Sequence, residues 1–223
     1  MAAKVDGVKT GGHVSKTGWA AAPDSETRRG MIIVVAVHQM YDVGYNGMSM
    51  RNVAAELDVA LATIYHYFAS KQEILYSFLD SVYSAHLERL QSALLLSEAR
   101  PEAQLAALVD AHIRPRFSGS WGRIAATTAH REFEQLEGPW RGEVESKRRE
   151  RDRLFQIVVE HGVREGVFLT DHPSEAARAI VMLAAAATDM YEVDEADDVD
   201  ELVATFTDLA LRLVQHDPTS AGA

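Results

Sequence analysis

The chain has 223 residues, no cysteine and a formal net charge of -11, with 47% hydrophobic and 25% charged residues. This composition is ordinary for a folded globular protein, and without cysteine neither a disulfide framework nor a thiolate metal site can form. The longest apolar run, at 179–187, is well short of the roughly 20 residues that a membrane-spanning helix needs. We therefore expect a cytoplasmic protein without a membrane span.

The charge is divided unevenly along the chain. Residues 1–72 carry 7 basic and 6 acidic side chains, a net charge of +1, whereas residues 73–223 carry 15 and 27, a net charge of -12. A polyanion such as nucleic acid is attracted to basic surfaces and repelled by acidic ones. The N-terminal third is therefore the candidate for contact with nucleic acid.

Apolar residues recur at helical spacing almost everywhere, and no segment shows sustained alternation with a period of two. This pattern predicts an all-α fold with about nine helices. Residues 1–23 are predicted to be a flexible N-terminal arm, since they hold no apolar run that could pack. The first helix is predicted over about Asp24–Val43, with Ser25 as its cap and Gly44 at its end.

Two short helices follow, predicted over about 50–57 and 61–67, with a longer helix before and after them. Short helices at this separation predict a helix-turn-helix. Ile64 and Phe68 give the second short helix an apolar face. Asp58 stands in the turn, where a positive φ is expected and Asp tolerates it better than most residues.

Longer helices are predicted for the rest of the chain. Ser70 is expected to cap the first of them, and three more are expected over 101–166. The last two begin at Pro173 and at about residue 198, and the final one ends near residue 216. Residues 217–223 are expected to form a C-terminal tail.

Three motifs stand in order in the N-terminal part: Gly-Tyr at 44–45, Ile-Tyr-x-x-Phe at 64–68 and Ser-Lys at 70–71. Together they resemble the signature of the TetR family of transcriptional repressors. The resemblance covers about 45 residues. It implies a three-helix helix-turn-helix DNA-binding domain over 24–72, and a larger helical domain for effector binding and dimerisation over 73–216.

The resemblance also implies that the second short helix enters the major groove of double-stranded operator DNA. Side chains on its outer face, with the cap of the preceding helix and the first residue of the following one, would contact phosphates or base edges. The DNA-binding residues predicted in this way are Ser49, Leu61, Ala62, Thr63, Tyr65, His66, Tyr67 and Lys71.

Two positions depart from the family pattern. Ala60 stands where a Ser or Thr cap is usual, and Leu61 replaces a polar residue and cannot form a hydrogen bond with a base. Affinity is therefore expected to depend mainly on phosphate contacts. Basic residues near the N-terminus are a hypothesised addition to these contacts: Lys4, Lys9, Lys16, Arg28 and Arg29.

The last two helices are predicted to form a homodimer interface, because an extended apolar surface must be buried on more than one side. The effector is expected to be small and hydrophobic, since the C-terminal helices are loosely similar to the branch of the family that senses acyl-CoA thioesters. Candidate effector-binding residues, each of which could instead be ordinary core or surface, are Phe117, Trp121, Arg131, Phe133, Phe155, Met182, Met190 and Tyr191. Arg148 and Arg151 are candidates for phosphate contact.

An enzyme or a small-molecule carrier with a vestigial helix-turn-helix is the alternative. His112, His130 and Glu134 are the best polar cluster for it, because His130 and Glu134 share a helix face. The sequence has no HExxH, no GxSxG and no glycine-rich phosphate loop. We therefore expect no catalytic residue, metal or cofactor, and favour a ligand-responsive repressor.

Overall fold

The computed structural model describes residues 27–191 and 196–214. These residues form nine α-helices and two short 3-10 helices, and they contain no strand, which confirms the all-α prediction. The α-helices are α1 (Arg28–Gly47), α2 (Met50–Glu56), α3 (Leu61–Tyr67), α4 (Lys71–Leu96), α5 (Pro101–Ile113), α6 (Gly119–Glu132), α7 (Gly138–Arg164), α8 (Pro173–Met190) and α9 (Ala196–Leu213). The 3-10 helices are Arg114–Phe117 and Phe133–Gln135. The predicted arm, the Ser25 cap and the tail lie outside the described residues.

The first helix differs from its prediction at both ends. Thr27 is its cap, since the Thr27 hydroxyl accepts a hydrogen bond from the Gly30 amide at 3.0 Å. Gly44 has a φ of +74° and leaves helical geometry, as expected of a glycine that ends a helix. Hydrogen-bonded turns nevertheless continue to Gly47, because the Met48 amide donates to the Gly44 carbonyl.

Two hydrophobic cores hold the helices together. The first joins α1–α4 to α6 and contains Ile32, Ile64, Phe68, Phe78 and Ala125. The second is formed by the far end of α4 with α5, α7, α8 and α9. Since α4 contributes to both cores, it connects the helix-turn-helix directly to the C-terminal helices. No helix in the described part of the chain is both long and apolar enough to cross a bilayer.

The end of α7 is closed by a tight reversal of the chain. The amides of Val167 and Phe168 both donate to the Gly162 carbonyl, at 2.9 and 3.0 Å, and Gly166 has a φ of +71°. This reversal folds the buried Phe168 ring back over Gly162. A Cβ atom at Gly162 would lie only 2.1 Å from the Phe168 ring. The close approach therefore requires glycine at position 162.

Helix capping differs between the two short helices. The Ser49 hydroxyl accepts from the Asn52 amide at 3.1 Å, and Ser70 caps α4 in the same way through the Glu73 amide. Ala60 precedes α3 and has no side-chain acceptor. The predictions for all three positions are confirmed, and of the two short helices α3 is the one that begins without a side-chain cap.

Replacing Ala60 with serine is expected to raise the free energy of unfolding by about 1 kcal/mol, because its hydroxyl can accept from an amide in the first turn of α3. Replacing Ser49 with alanine is the matched control and is expected to lower that free energy by about the same amount. Urea denaturation followed by circular dichroism measures both. If Ser49→Ala destabilises and Ala60→Ser is neutral, the idea that α3 lacks a cap is contradicted.

Candidate functional site

The turn between α2 and α3 has the geometry of a helix-turn-helix. Asp58 has a φ of +53°, which confirms the positive φ predicted for it. The Asp58 amide donates to the Ala55 carbonyl at 3.2 Å, and the Val59 amide donates to the Ala54 carbonyl at 3.0 Å. These bonds close the end of α2 and set the direction in which α3 begins.

The two faces of α3 differ as predicted. Ile64 and Phe68 are completely buried in the first core, whereas Tyr65 is 52% exposed. Ala62 and His66 are also exposed. Leu61, Thr63 and Tyr67 are partly buried. Leu61 and Tyr67 pack against the first core. The polar groups that the structure presents outward on α3 are therefore the phenol of Tyr65 and the imidazole of His66, beside the methyl group of Ala62.

Lys71 is held at the N-terminus of α4 by the last residues of α1, after Gly44. Its ammonium nitrogen lies 4.2 Å from the centre of the Tyr45 ring and donates to the Asn46 carbonyl at 3.4 Å. Partial burial lowers the pKa of Lys71, and the nearby carboxylate of Glu132 opposes this shift. The Gly-Tyr and Ser-Lys motifs of the sequence thus meet in space and fix one cation beside α3.

Arg29, an exposed residue in the first turn of α1, braces the C-terminal end of α3. Its guanidinium donates to the Tyr67 carbonyl at 2.8 Å and to the Ser77 hydroxyl at 3.0 Å, and it covers the Phe68 ring at 4.1 Å. A cation at a helix C-terminus satisfies the carbonyls that have no partner in the helix. The structure therefore uses Arg29 to position α3, a role that sequence reasoning missed.

Arg51 is a further basic residue that sequence reasoning missed. It lies in the first turn of α2, two residues after the cap Ser49, and its side chain is exposed. In a helix-turn-helix the first of the two short helices crosses the DNA backbone. Arg51 is consequently placed where a phosphate contact can form, and the signal for it was a lone arginine two residues after a capping serine.

Arg131 joins α6 to the end of α1. Its guanidinium donates to the main-chain carbonyls of Met40 and Tyr41, the latter at 2.9 Å, and pairs with the Glu132 carboxylate at 2.6 Å. Glu132 is only 4% exposed and lies beside Gly44. The predicted effector-binding residue Arg131 is thus placed at the junction between the C-terminal helices and the helix-turn-helix.

The start of α4 is fastened to the C-terminal helices by a second set of contacts. The Gln72 side chain donates to the Gln135 carbonyl at 2.7 Å and accepts from the Glu137 amide at 3.2 Å. One turn later, the Tyr76 hydroxyl donates to Glu143 at 2.6 Å, which raises the pKa of Tyr76 to about 12. Lys71 therefore projects from a helix end that is held on both sides.

The other predicted effector-binding residues lie in three separate places. Trp121 and Phe133 pack with the first core, and Phe117 and Phe155 with the second. The remaining three, on α8 and directly after it, are exposed: Met182, Met190 and Tyr191. The structure does not bring these residues together around one slot.

The two arginines of α7 that were predicted to contact phosphate instead contact other side chains of the protein. Arg148 stacks over the Phe133 ring at 4.1 Å, and Arg151 pairs with Asp152 at 2.6 Å. A groove of about 500 Å³ lies on the outer side of α7 and α8, and its lining is polar and charged. It includes Ser146, Arg149, Glu150, Asp152, Arg153, Gln156, Ser174, Ala177 and Arg178. A groove with this lining does not suit the small hydrophobic effector that was expected.

The predicted polar cluster is separated in the structure. His112 is buried against His86, whereas His130 is exposed and Glu134 pairs with Arg141. Within the described residues no group of three or more His, Cys, Asp or Glu side chains is arranged to hold a metal ion. The pairing of His86 with His112 was missed, because neither spacing nor periodicity relates residues on different helices.

An apolar surface is exposed on the last two helices. Met182, near the middle of α8, is 72% exposed, and Met190 follows it two turns later. Leu209 and Leu213 are exposed one turn apart on α9. Large exposed apolar side chains on neighbouring helices are typical of a protein–protein interface.

The fold and the outward face of α3 define a helix-turn-helix DNA-binding protein with a helical C-terminal domain. A family model described as bacterial regulatory proteins, tetR family, matches residues 32–77. A second, described as a tetracyclin repressor-like C-terminal domain, matches residues 98–214. The chain belongs to the TetR family of DNA-binding transcription regulators, as its N-terminal motifs predicted.

Solved structures with low sequence identity share this fold. A tetR-family regulatory protein from Rhodococcus RHA1 is 23% identical, with a TM-score of 0.77, over 85% of this chain and 97% of its own. The ketosteroid transcriptional regulator KstR2 of Mycobacterium tuberculosis is 19% identical, with a TM-score of 0.77, over 88% and 99%. AibR, solved in complex with isovaleryl coenzyme A and operator DNA, is 18% identical, with a TM-score of 0.74, over 86% and 100%. A comparison with curated proteins finds no match.

Proposed function

We propose that this regulator is a homodimeric, non-enzymatic repressor, acting on operator DNA in the cytoplasm and released from it by a small hydrophobic effector. The observation that carries the proposal is the pairing of an outward aromatic face on α3 with a cation fixed beside it. Tyr65 and His66 face outward, and Lys71 is held against Tyr45 at the start of α4. Phosphate oxygens are recognised by such a combination of hydroxyl, imidazole and ammonium donors.

The operator contacts are assigned by exposure and position. Tyr65, His66 and Lys71 contact phosphates, Ser49 contacts the backbone from the start of α2, and Thr63 faces the groove. Ala62 and Leu61 offer methyl groups, which suit the methyl group of thymine. With few hydrogen-bond donors directed at bases, affinity depends mainly on the phosphates and falls steeply as salt concentration rises.

The dimer is assigned to α8 and α9. A two-fold axis beside these helices would bury Met182, Met190, Leu209 and Leu213 against their counterparts, which offers a reason for their exposure in a single chain. Helix-turn-helix dimers bind two half-sites about 34–36 Å apart, one turn of DNA. In such a dimer the two copies of α3 would be spaced by about one turn of the DNA double helix.

The effector is assigned to the helices that form the second core. AibR was solved with isovaleryl coenzyme A, and KstR2 is named for ketosteroids, so two proteins of similar fold are associated with compounds that contain an apolar hydrocarbon group. Binding weakens operator affinity only to the extent that the effector prefers the released conformation. A hundredfold change in operator affinity requires about 2.7 kcal/mol of such coupling.

Replacing Tyr65 and Lys71 together with alanine is expected to weaken operator binding about a hundredfold, because one hydroxyl and one cation are lost in each half-site. The slope of log affinity against log salt concentration is expected to fall by about 2, since the dimer loses two lysines. Fluorescence anisotropy with a site selected from a random DNA library measures both quantities.

The control is Arg164→Ala, which removes an exposed cation at the far end of α7. This variant is expected to retain the affinity and the salt slope of the original protein. If the double variant folds and binds DNA as the control does, the assigned contacts are wrong. If the original protein retains no DNA at low salt, a small-molecule carrier becomes the better description.

A further inference from the structure

A chain of buried polar groups lies at the centre of the C-terminal domain. His86 of α4 and His112 of α5 are hydrogen-bonded, with 3.1 Å between His86 Nε2 and His112 Nδ1. Arg116, from the 3-10 helix after α5, lies 3.2 Å from His112 Nε2 and also donates to the His112 carbonyl. Arg116 is 6% exposed, and both histidines are buried more completely. Charged and titratable side chains are rarely placed so deeply in an apolar core.

Arg116 fixes the direction of the hydrogen bonds between these buried groups. A guanidinium can only donate, so His112 Nε2 must accept from Arg116 and the His112 proton must be on Nδ1. His112 then donates to His86 Nε2, which places the His86 proton on Nδ1. Both imidazoles are therefore neutral. Burial and the neighbouring Arg116 hold the pKa of each histidine well below its ordinary value, in agreement with this arrangement.

Two more arginines lie on the helices around the histidine pair. Arg89 lies one turn after His86 on α4, and Arg151 lies on α7, which packs against α4 and α5. The charges of both lower the pKa of His86 further. Burial lowers the pKa of Arg89 itself, which Glu88 partly opposes, and Arg151 is paired with Asp152. Both arginines thus contribute positive charge near the histidine pair.

The surroundings of this cluster are apolar. The Phe155 ring meets the His112 ring edge-on at 5.9 Å, and Leu90 and Leu108 are completely buried in the same core. Cations are costly to hold in such surroundings, and an anion that hydrogen-bonds to them offsets that cost. A ligand suited to this place combines one negative charge with an apolar body.

We propose that the cluster of Arg89, Arg116, Arg151 and the histidine pair receives the carboxylate of an apolar organic acid, and that this acid is the effector. The proposal rests on the proposed function, whose effector it specifies. A carboxylate carries a single charge and is less costly to bury than a phosphate, whose charge is about -1.5 to -2. The bulky, highly charged nucleotide of a CoA thioester does not suit a centre this deeply buried.

The test compares straight-chain acids from hexanoate to dodecanoate with their methyl esters and their CoA thioesters. We expect at least one free acid to raise the melting temperature of the whole protein and to weaken its operator binding, because the acid binds the folded protein selectively. The methyl ester of the same acid is expected to do neither. Arg89→Gln combined with Arg151→Gln is expected to weaken binding of that acid at least about tenfold, the effect of losing charge-assisted hydrogen bonds.

Arg153→Gln is the matched control, since Arg153 is exposed on the same helix as Arg151, and it is expected to bind the acid normally. The proposal is overturned if no free acid binds, if the ester binds as well as the acid, if the thioester alone binds, or if the double variant keeps its affinity. Operator binding by each protein without acid is measured in parallel. Retained operator binding together with any of those results removes the acid proposal and leaves the DNA-binding function intact.

Discussion

Replacing Met182 with glutamate is expected to convert the proposed dimer into monomers and to weaken operator binding at least about a hundredfold, because a carboxylate would be buried without a partner in the proposed interface of α8 and α9. Met182 is 72% exposed in a single chain and lies centrally on α8. A monomer reads one half-site and loses the contribution of the second. Sedimentation velocity measures the oligomeric state, and fluorescence anisotropy measures the affinity for DNA.

Leu95→Glu is the control for this experiment. Leu95 is 86% exposed near the end of α4 and belongs to neither α8 nor α9. The same substitution there is expected to leave the dimer and the operator affinity unchanged. Dimers that persist in Met182→Glu while the fold is retained would show that copies of the chain associate through another surface.

Replacing Gly162 with alanine is expected to lower the free energy of unfolding by about 3 kcal/mol, at the upper end of the usual cost of overpacking a core. The new Cβ atom would lie 2.1 Å from one ring atom of Phe168 and 2.5 Å from another. Phe168 is buried and its amide is bonded to the Gly162 carbonyl, so the ring has little freedom to withdraw. Urea denaturation at equilibrium measures the loss.

Gly142, on the same helix, supplies the comparison. A Cβ atom at Gly142 would meet no described atom within 4 Å. Alanine there is expected to raise the free energy of unfolding by about 0.5–1 kcal/mol, because alanine favours helix over the unfolded chain more than glycine does. Equal and small changes at both positions would contradict the close approach of Phe168 to α7.

The helix-turn-helix was predictable because its determinants are local. Ser49 and Ser70 each cap the helix that directly follows, Asp58 sets its own backbone angle, and Ile64 and Phe68 share a face because they are one helical turn apart. Each of these relations joins residues within a few positions of one another. A single sequence therefore contains all the information that they require.

The contacts around the C-terminal domain depend on distant parts of the chain. Arg131 reaches the carbonyls of α1, and His86 meets His112 only because α4 and α5 pack side by side. No spacing in the sequence encodes such a pairing. Aromatic content alone also failed to identify an effector slot, since Trp121 and Phe155 fill different cores.

The contact between Arg131 and α1 has a consequence for how such a regulator can diverge. Its acceptors are main-chain oxygens of Met40 and Tyr41, which any residue type supplies. Amino-acid exchanges along the exposed side of α3, or at Tyr41 itself, leave those oxygens in place. The preferred DNA sequence can therefore drift over generations while this link to the C-terminal domain is inherited unchanged.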